Sequence, residues 1–382
     1  MCSNSSLLVG KFLCLSLLLF CKENDLFLDN HWKLSRTRES NFISPMTCGS
    51  CHSKQLNAWT NSAHANSFRS GIIWQLPKFS HSERENCYKC HLPNKMQIVE
   101  VNINLDNPKI NIFRNSFLDH KDFSLSCSNC HLRNNIIYGP QPSENLKEEL
   151  HGKAAPHKIK IQHEFDQSKF CANCHQNASD GKRVNNKLLM NVYEDWLESK
   201  AYKENKNCQN CHMPNRDHSF KGIHDSEFVK NGIQFQFIRF EKKIKFTLRN
   251  IHVGHKFPAY SVPRILIYVK KENRTFQLDE IGWIISLDLQ NEIKDQRIQQ
   301  GESFQKDYDI KEIKNLFQIK SNQLTNFAFE IWIAPRYHYG KIFSYILEKE
   351  KHITLFEKFH LQKSIDDEIK SRYLIHKTNF SF

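Results

Sequence analysis

The sequence predicts two architectures in succession: a mainly helical and irregular domain of short helices, then an all-β, sandwich-like domain. Three observations predict this division. A frame with two cysteines recurs five times, only 39% of the 382 residues are hydrophobic, and period-two alternation begins at about Asp225, beyond the last cysteine. The predicted segments are an export signal over 1–21, a linker over 22–45, the cysteine-rich domain over 46–225 and the β domain over 226–382. A typical globular chain is about 45–50% apolar, so this chain needs another source of buried surface if it is compact.

The first 21 residues have the pattern of an export signal. Lys11 precedes the apolar run "FLCLSLLLF" over 12–20, which is too short to span a bilayer. A buried core helix is the alternative, but the polar stretch that follows at once favours export. Cys21 ends the run as a lipid-modified cysteine would, so it is the candidate for a lipoprotein anchor. A plain signal peptide or an uncleaved tether is the alternative to that anchor.

The basic charge of the chain says little about its partners. The formal net charge is +13, which by itself would suggest nucleic acid or an anionic membrane. Lysine and arginine alternate with aspartate and glutamate throughout, without a concentrated basic run. Export also removes the protein from nucleic acid, so we expect no nucleic-acid partner.

Ten of the thirteen cysteines form five copies of the frame Cys-x-x-Cys-His. From composition alone, about 0.02 copies are expected by chance. Cys2, Cys14 and Cys21 are the remaining cysteines, and all three belong to the export segment. The frames are "CGSCH" (Cys48, Cys51, His52), "CYKCH" (Cys87, Cys90, His91), "CSNCH" (Cys127, Cys130, His131), "CANCH" (Cys171, Cys174, His175) and "CQNCH" (Cys208, Cys211, His212).

This spacing is typical of covalent haem attachment. Two thiols three positions apart lie on one side of a tight turn, where each can add to one vinyl group of a haem, and the adjacent imidazole is the proximal iron ligand. A dithiol redox site does not need the histidine, and neither does a disulfide framework. Structural zinc needs four ligands and would leave each frame one short. The sequence therefore predicts five covalently bound haem c groups, with zinc as the alternative.

The repeat also predicts how the first domain is built. Successive frames begin 39, 40, 44 and 37 residues apart, which leaves little chain for independent cores. The porphyrins are then the main buried apolar material, and short helices surround the stacked haems. Haems packed this closely within one fold would conduct electrons.

Histidine is the predicted sixth ligand of the irons. Methionine is scarce, so bis-histidine ligation, with its lower potentials, is the default. A surface histidine is the alternative for each candidate. The candidate distal ligands are His64, His151, His224, His255, His120, His157 and His218.

Two stretches of the first 264 residues resemble a known family. "CGSCHSKQLNAWTNSAHA" and "FCANCHQ…CQNCHMPNRDHSFKG" resemble the multihaem cytochrome c family that is related to tetrahaem electron carriers and to the hydroxylamine oxidoreductase group. "HVGHKFPAYSVPR" is similar to a segment that follows the haem domain in longer members. The resemblance spans roughly Met46 to Arg264 and implies near-parallel and near-perpendicular haem pairs, with His64 and His255 as ligands by position. The chain departs from the pentahaem nitrite reductases, because no frame here ends in lysine.

The pattern of the carboxy-terminal part predicts β-strands. Ile233, Phe235 and Phe237 alternate, and "EKK" joins them as a hairpin to a second alternating run over 244–248. "RILIYVKK", "IGWIISL", "FAFEIWI" and "KIFSYIL" predict further strands, and about seven strands predict a β-sandwich. "SIDDEIKSRYLI" predicts a short closing helix capped by Ser364. No catalytic constellation is recognisable there, which favours a structural or partner-docking module.

These features predict an exported pentahaem c-type cytochrome that relays single electrons between partner proteins, one of which could be a quinol-linked donor in the membrane. The alternative is a reductase or oxidase of a small nitrogen or sulfur compound, which would need one haem with an open coordination position and nearby acids. A binding module stapled by metal, without redox work, is the third hypothesis. We expect the protein in the periplasm, or anchored through Cys21 to a membrane and facing the periplasm or cell surface.

Overall fold

The computed structural model describes residues 43–106, 123–133, 135–142 and 157–382. The predicted export signal, Cys21, His120 and His151 lie outside the described residues. Contacts divide the chain into two compact units, each built from separate segments. The frame unit comprises the described residues up to Arg183 together with Lys206–Lys221 and Glu350–Leu361. The sheet unit comprises Val184–Asn205, Gly222–Lys349 and Gln362–Phe382.

The frame unit consists of short helices with one small sheet. Its apolar core centres on Phe68, Leu76, Tyr88 and Leu92, all fully buried. Its small sheet has three strands, which lie side by side in the order Leu132–Arg133, Ile136–Gly139 and Ile159–Ile161. The α-helices are Pro45–Gly49, Ser53–Thr60, Ser70–Ile73, His81–His91, Lys95–Asp106, Cys127–His131, Ser168–His175 and Cys208–His212, and single turns of 3-10 helix lie at His64–Asn66, Leu76–Lys78, His163–Asp166 and Pro214–Arg216.

Two antiparallel sheets dominate the sheet unit. Their strands in chain order are β1 (Ile233–Phe240), β2 (Lys243–Asn250), β3 (Arg264–Lys271), β4 (Arg274–Ile281), β5 (Ser303–Asp309), β6 (Asn326–Ala334) and β7 (Tyr373–Ser381). One sheet has the order β5-β2-β1 and the other β7-β6-β3-β4. Two further sheets have only two short strands each. One consists of Arg183–Val184 and Lys187–Leu188, and the other of Trp283–Ile285 and Glu292–Asp295.

Alternating side chains of both sheets form one core. Strand β2 buries Ile244, Phe246 and Leu248 on one face, while the residues between them are exposed or half-buried. These three side chains belong to the same cluster as Phe329 of β6 and Ile267 of β3. The hairpin predicted around "EKK" is confirmed, because β1 pairs with β2 from Ile233↔Asn250 to Phe240↔Lys243. The strands predicted at "RILIYVKK" and "FAFEIWI" are confirmed as well.

Two predictions for the carboxy-terminal part are wrong. "KIFSYIL" lies in the helix Tyr337–Lys349, because Ile342 and Ile346 recur at helical spacing and are buried. The helix expected from Ser364 begins earlier, at Leu355, and runs to Ser371, with Ser364 buried inside it. Thr354 starts this helix, since its hydroxyl accepts the Glu357 N–H and Glu357 accepts the Thr354 N–H.

The chain also ends differently from the prediction. Strand β7 follows the helix Leu355–Ser371 and pairs with β6 along its length. The unit therefore combines sheets with helices, at Val192–Leu197, Lys200–Lys203, Ser226–Gly232, Ile310–Leu316 and Tyr337–Lys349 besides the long helix. Among the described residues, no helix is both long enough and apolar enough to cross a bilayer.

Candidate haem-binding sites

Each of the five frames folds into a helical turn. The third and fifth frames are five-residue helices, and the second and fourth frames end longer helices. In the first frame the His52 N–H donates to the Cys48 carbonyl at 2.9 Å, which closes the same turn. The helical turn places the two thiols on one side and the histidine beside them, as covalent attachment requires.

Asparagine inside the frames helps to start these helices. In the third frame Asn129 accepts the backbone N–H of Ser126 at 2.5 Å, and in the fifth Asn210 accepts that of Asn207 at 2.8 Å. Both are capping boxes, which satisfy N–H groups left open at a helix start. The middle residues of the frames therefore contribute to the local fold, although the attachment chemistry does not specify them.

Three frame histidines are oriented by backbone carbonyls. The Nδ1 of His91 lies 2.8 Å from the carbonyl of Ser67, that of His131 2.8 Å from Tyr138, and that of His212 2.5 Å from Lys221. A carbonyl only accepts, so Nδ1 carries the proton and Nε2 keeps its lone pair for a metal. Such bonds fix the ring orientation of iron ligands and raise their basicity.

Three predicted distal histidines lie opposite frame histidines. The ring centroids are 6.1 Å apart for His52 and His157, 6.3 Å for His64 and His175, and 6.3 Å for His131 and His218. A metal–nitrogen bond of about 2 Å on each side, with about 1 Å from nitrogen to ring centre, places two axial imidazoles roughly 6 Å apart. The three pairs thus have the spacing that an iron held between two imidazoles requires.

Two histidines of these pairs, His64 and His131, are kept neutral by burial. Burial, with contributions from His175 and His212, lowers the pKa of His64 to about 3. Burial also lowers the pKa of His131 to about 4, against the opposing hydrogen bond to Tyr138. A neutral imidazole is the form that ligates a metal.

The other two predicted distal ligands of the described residues lie in the sheet unit. Partial desolvation lowers the pKa of His224 to about 4, with a contribution from Arg336, although the residue is exposed at the surface. The Nδ1 of His255 donates to the carbonyl of Lys256 at 2.9 Å. The frame histidines, in contrast, all belong to the frame unit.

Cysteines of different frames lie against each other. Thiols are hydrogen-bonded between Cys48 and Cys127 and between Cys90 and Cys174. The same contact joins the fourth and fifth frames, where Cys171 holds the pKa of Cys208 down at about 7. Frames one and three, two and four, and four and five are therefore direct neighbours.

Hydrogen bonds connect the fifth frame to the segment that leads into the fourth. The amide of Gln209 donates to the carbonyls of Phe165 and Gln167, and the Cys208 N–H donates to the Ser168 hydroxyl at 3.0 Å. Phe165 also stacks on the His131 ring, with centroids 4.8 Å apart and planes 8° from parallel. This aromatic ring thus contacts the third frame as well.

Sequence reasoning missed several residues that support the histidines. Ser67 accepts from His91 through its carbonyl, donates its hydroxyl proton to the His91 carbonyl at 3.0 Å and accepts the Leu125 N–H at 2.8 Å. Phe220 packs edge-on against His64 at 4.2 Å and lies 5.8 Å from His218. Nothing in the local sequence distinguishes these two residues from other serines and phenylalanines.

The zinc alternative would require four ligands at one site. Within the described residues, no three side chains of His, Cys, Asp or Glu converge as a ligand group for a metal ion. None of the ten cysteines in the described part of the chain forms a disulfide.

Comparisons with known proteins are consistent with this geometry. Residues 47–110 match the family model described as cytochrome c554 and c-prime. The fold is similar to the crystal structure of a penta-heme cytochrome c552 from Thermochromatium tepidum, with a TM-score of 0.55 and 16% identity over 89% of this chain and 99% of that one. None of the curated proteins matches the sequence. Together with the frames, these findings support a multihaem c-type cytochrome that binds haem covalently.

Proposed function

We propose that this protein is an exported pentahaem c-type cytochrome that relays single electrons. The observation that carries the proposal is the set of three imidazole pairs, 6.1–6.3 Å apart, each containing one frame histidine. Bis-histidine ligation fills both axial positions of an iron and leaves none for a substrate, which favours relay over catalysis. The similarity to the cytochrome c554 and c-prime model supports the same conclusion. The relation to the hydroxylamine oxidoreductase group stays a prediction of the sequence.

The chain's own residues would hold and tune the cofactor. The paired cysteines of each frame would form two thioether bonds, and His52, His91, His131, His175 and His212 would be the proximal ligands. We assign His157, His64 and His218 as the distal ligands opposite His52, His175 and His131. When bound, haem supplies one-electron redox chemistry at its iron.

The neighbouring frames support a continuous route for electrons inside the frame unit. The first frame adjoins the third through Cys48 and Cys127, and the fourth adjoins both the second and the fifth. Cys130 of the third frame acts electrostatically on Cys171 and Cys174 of the fourth, which places those two frames close together. All five frames therefore belong to one connected group.

The second and fifth frames, with His91 and His212, do not contribute a histidine to the three imidazole pairs. For His91 and His212, the candidates His120 and His151 lie outside the described residues, and His224 and His255 lie in the sheet unit. These four stay candidate distal ligands.

Haem counting and electron paramagnetic resonance test the proposal. The purified protein should contain five haems per chain, all low-spin in the oxidised state, and should be reduced and reoxidised fully by single-electron mediators. Fewer haems would refute the attachment count. One high-spin haem per chain that binds a small nitrogen or sulfur compound would instead favour the reductase or oxidase.

We further propose export to the periplasm or cell surface, with a lipid anchor at Cys21 and redox proteins as partners, including a quinol-linked donor in the membrane. Metabolic labelling with palmitate tests the anchor, since Cys21→Ser should abolish incorporation and release the protein from the membrane fraction. Unlabelled wild-type protein that stays in the cytoplasm and lacks haem would refute the export.

A further inference from the structure

A basic surface surrounds the fifth frame. We call it the fifth-frame surface, and its residues are Lys206, Cys211, Arg216 and Lys221, all exposed and all within the frame unit. Cys211 is one of two exposed cysteines among the ten of the described frames, the other being Cys51.

The fifth frame is in direct contact with the fourth. Cys208 contacts Cys171, and Gln209 donates to the carbonyls of Phe165 and Gln167. An electron that enters or leaves at the fifth frame thus has access to the remaining frames through the fourth.

The segment that contains the fifth frame has more cations than carboxylates. The segment Lys206–Lys221 contains three cations and a single carboxylate, that of Asp217. This carboxylate accepts the Ser219 N–H at 3.0 Å and the Ser219 hydroxyl at 2.8 Å, so it is satisfied locally. Lys206 acts electrostatically on Cys211. The guanidinium of Arg216 donates to the Gln141 carbonyl at 2.6 Å, which holds this cation in place.

We propose that the fifth-frame surface is the docking site for an acidic electron-transfer protein, which exchanges electrons with the chain at the fifth frame. The argument is charge complementarity: cations next to an exposed attachment cysteine attract an anionic partner and orient it toward the redox group. This inference rests on the proposed relay function, and it adds where the exchange happens and which partner chemistry the surface selects.

The test uses the full-length holoprotein and two small oxidants of opposite charge. The protein is first reduced, and stopped-flow absorbance then follows its oxidation. Hexacyanoferrate(III) is reduced to hexacyanoferrate(II) by one electron for each ferrous iron that becomes ferric, and hexaammineruthenium(III) provides the cationic comparison. The variant is Lys206→Glu/Lys221→Glu. Lys351→Glu/Lys358→Glu, also exposed in the frame unit, is the control with the same change in net charge.

We expect the fifth-frame variant to slow oxidation by hexacyanoferrate(III) about 10-fold at low ionic strength and to speed oxidation by the ruthenium complex. Both effects should fade at about 1 M salt, where the screening length is about 3 Å. The control variant should change either rate by less than about 2-fold, because Lys351 and Lys358 are not part of the fifth-frame surface. Lys206→Arg/Lys221→Arg should keep the wild-type rates, since it keeps the charge.

Several outcomes would overturn the inference. Equal rates for both glutamate variants would show that the fifth frame is not the point of exchange. Loss of binding to phosphatidylglycerol vesicles in the fifth-frame variant, with unchanged oxidation rates, would reassign the surface to a membrane. Haem content and equilibrium potentials are measured on every variant. A wild-type protein that no oxidant reoxidises would refute the relay function itself, which is a separate failure.

Discussion

The distal role of His218 gives the sharpest prediction. Its ring lies 6.3 Å from that of His131, and its Nδ1 donates to the Arg216 carbonyl at 2.8 Å, so Nε2 is left for a metal. His218→Ala removes that imidazole and leaves His131 as the one protein ligand of this pair. With five frames, the low-spin signal should fall by about one fifth, and one high-spin iron per chain should appear. Electron paramagnetic resonance of the oxidised protein measures both changes.

Two controls separate ligand loss from misfolding. Imidazole added to the His218→Ala protein should enter the vacated space and restore the low-spin signal, which a misfolded chain would not do. His163→Ala changes an exposed histidine of the same unit and should leave the spectrum unchanged. An unchanged low-spin signal in His218→Ala, at full haem content, would refute the pairing with His131.

Three further predictions concern haem content, core packing and pH. Cys208→Ala/Cys211→Ala should lower the haem count from five to four per chain, measured by the haemochrome assay. Phe329→Ala, at a fully buried side chain of the sheet core, should lower the free energy of unfolding by about 3–5 kcal/mol in denaturant titration. Burial, with Arg264 adding to it, lowers the pKa of His338 from 6.5 to about 3, so the unfolded chain binds this proton more readily. The free energy of unfolding should therefore fall as the pH drops from 6.5 toward 3, by at most about 1.4 kcal/mol per pH unit for this residue.

Each of these three has a matched control or a contrary result. A protein with five haems after loss of both fifth-frame thiols would contradict attachment there. Phe240→Ala, at a residue that is 63% exposed, should lower the free energy of unfolding by less than about 0.5 kcal/mol. His338→Asn should flatten the acid slope of stability and His352→Asn, at an exposed position, should not; equal slopes for wild type and His338→Asn would contradict the assignment.

The fold was predictable where its signal is local. Strand β2 alternates buried and solvent-facing residues along "KIKFTLRN", and such alternation occurs only where one face of a strand is covered. The run around Ile342 was misread as a strand because a short apolar stretch fits a strand and a helix almost equally well. This run is helical, with Ile342 and Ile346 buried at helical spacing. The helix that contains Ser364 was predicted, but its start was placed too late. This second helix begins at a cap at Thr354, ten residues before the predicted one.

The candidate sites were predictable only in part. The histidines of the three pairs are 105, 111 and 87 positions apart in the sequence, in the order His52–His157, His64–His175 and His131–His218. His64 follows the first frame closely, yet its ring faces the fourth. A distal histidine needs no particular neighbours in the chain, so no local pattern marks its partner.

The sequence by itself determined where haem can be attached, because two thioethers and a proximal ligand depend on residues within five positions of each other. Only the tertiary structure decided which histidines face each other and which frames are neighbours. Those relations require segments about a hundred residues apart to meet in space, and that meeting depends on the packing of the whole unit.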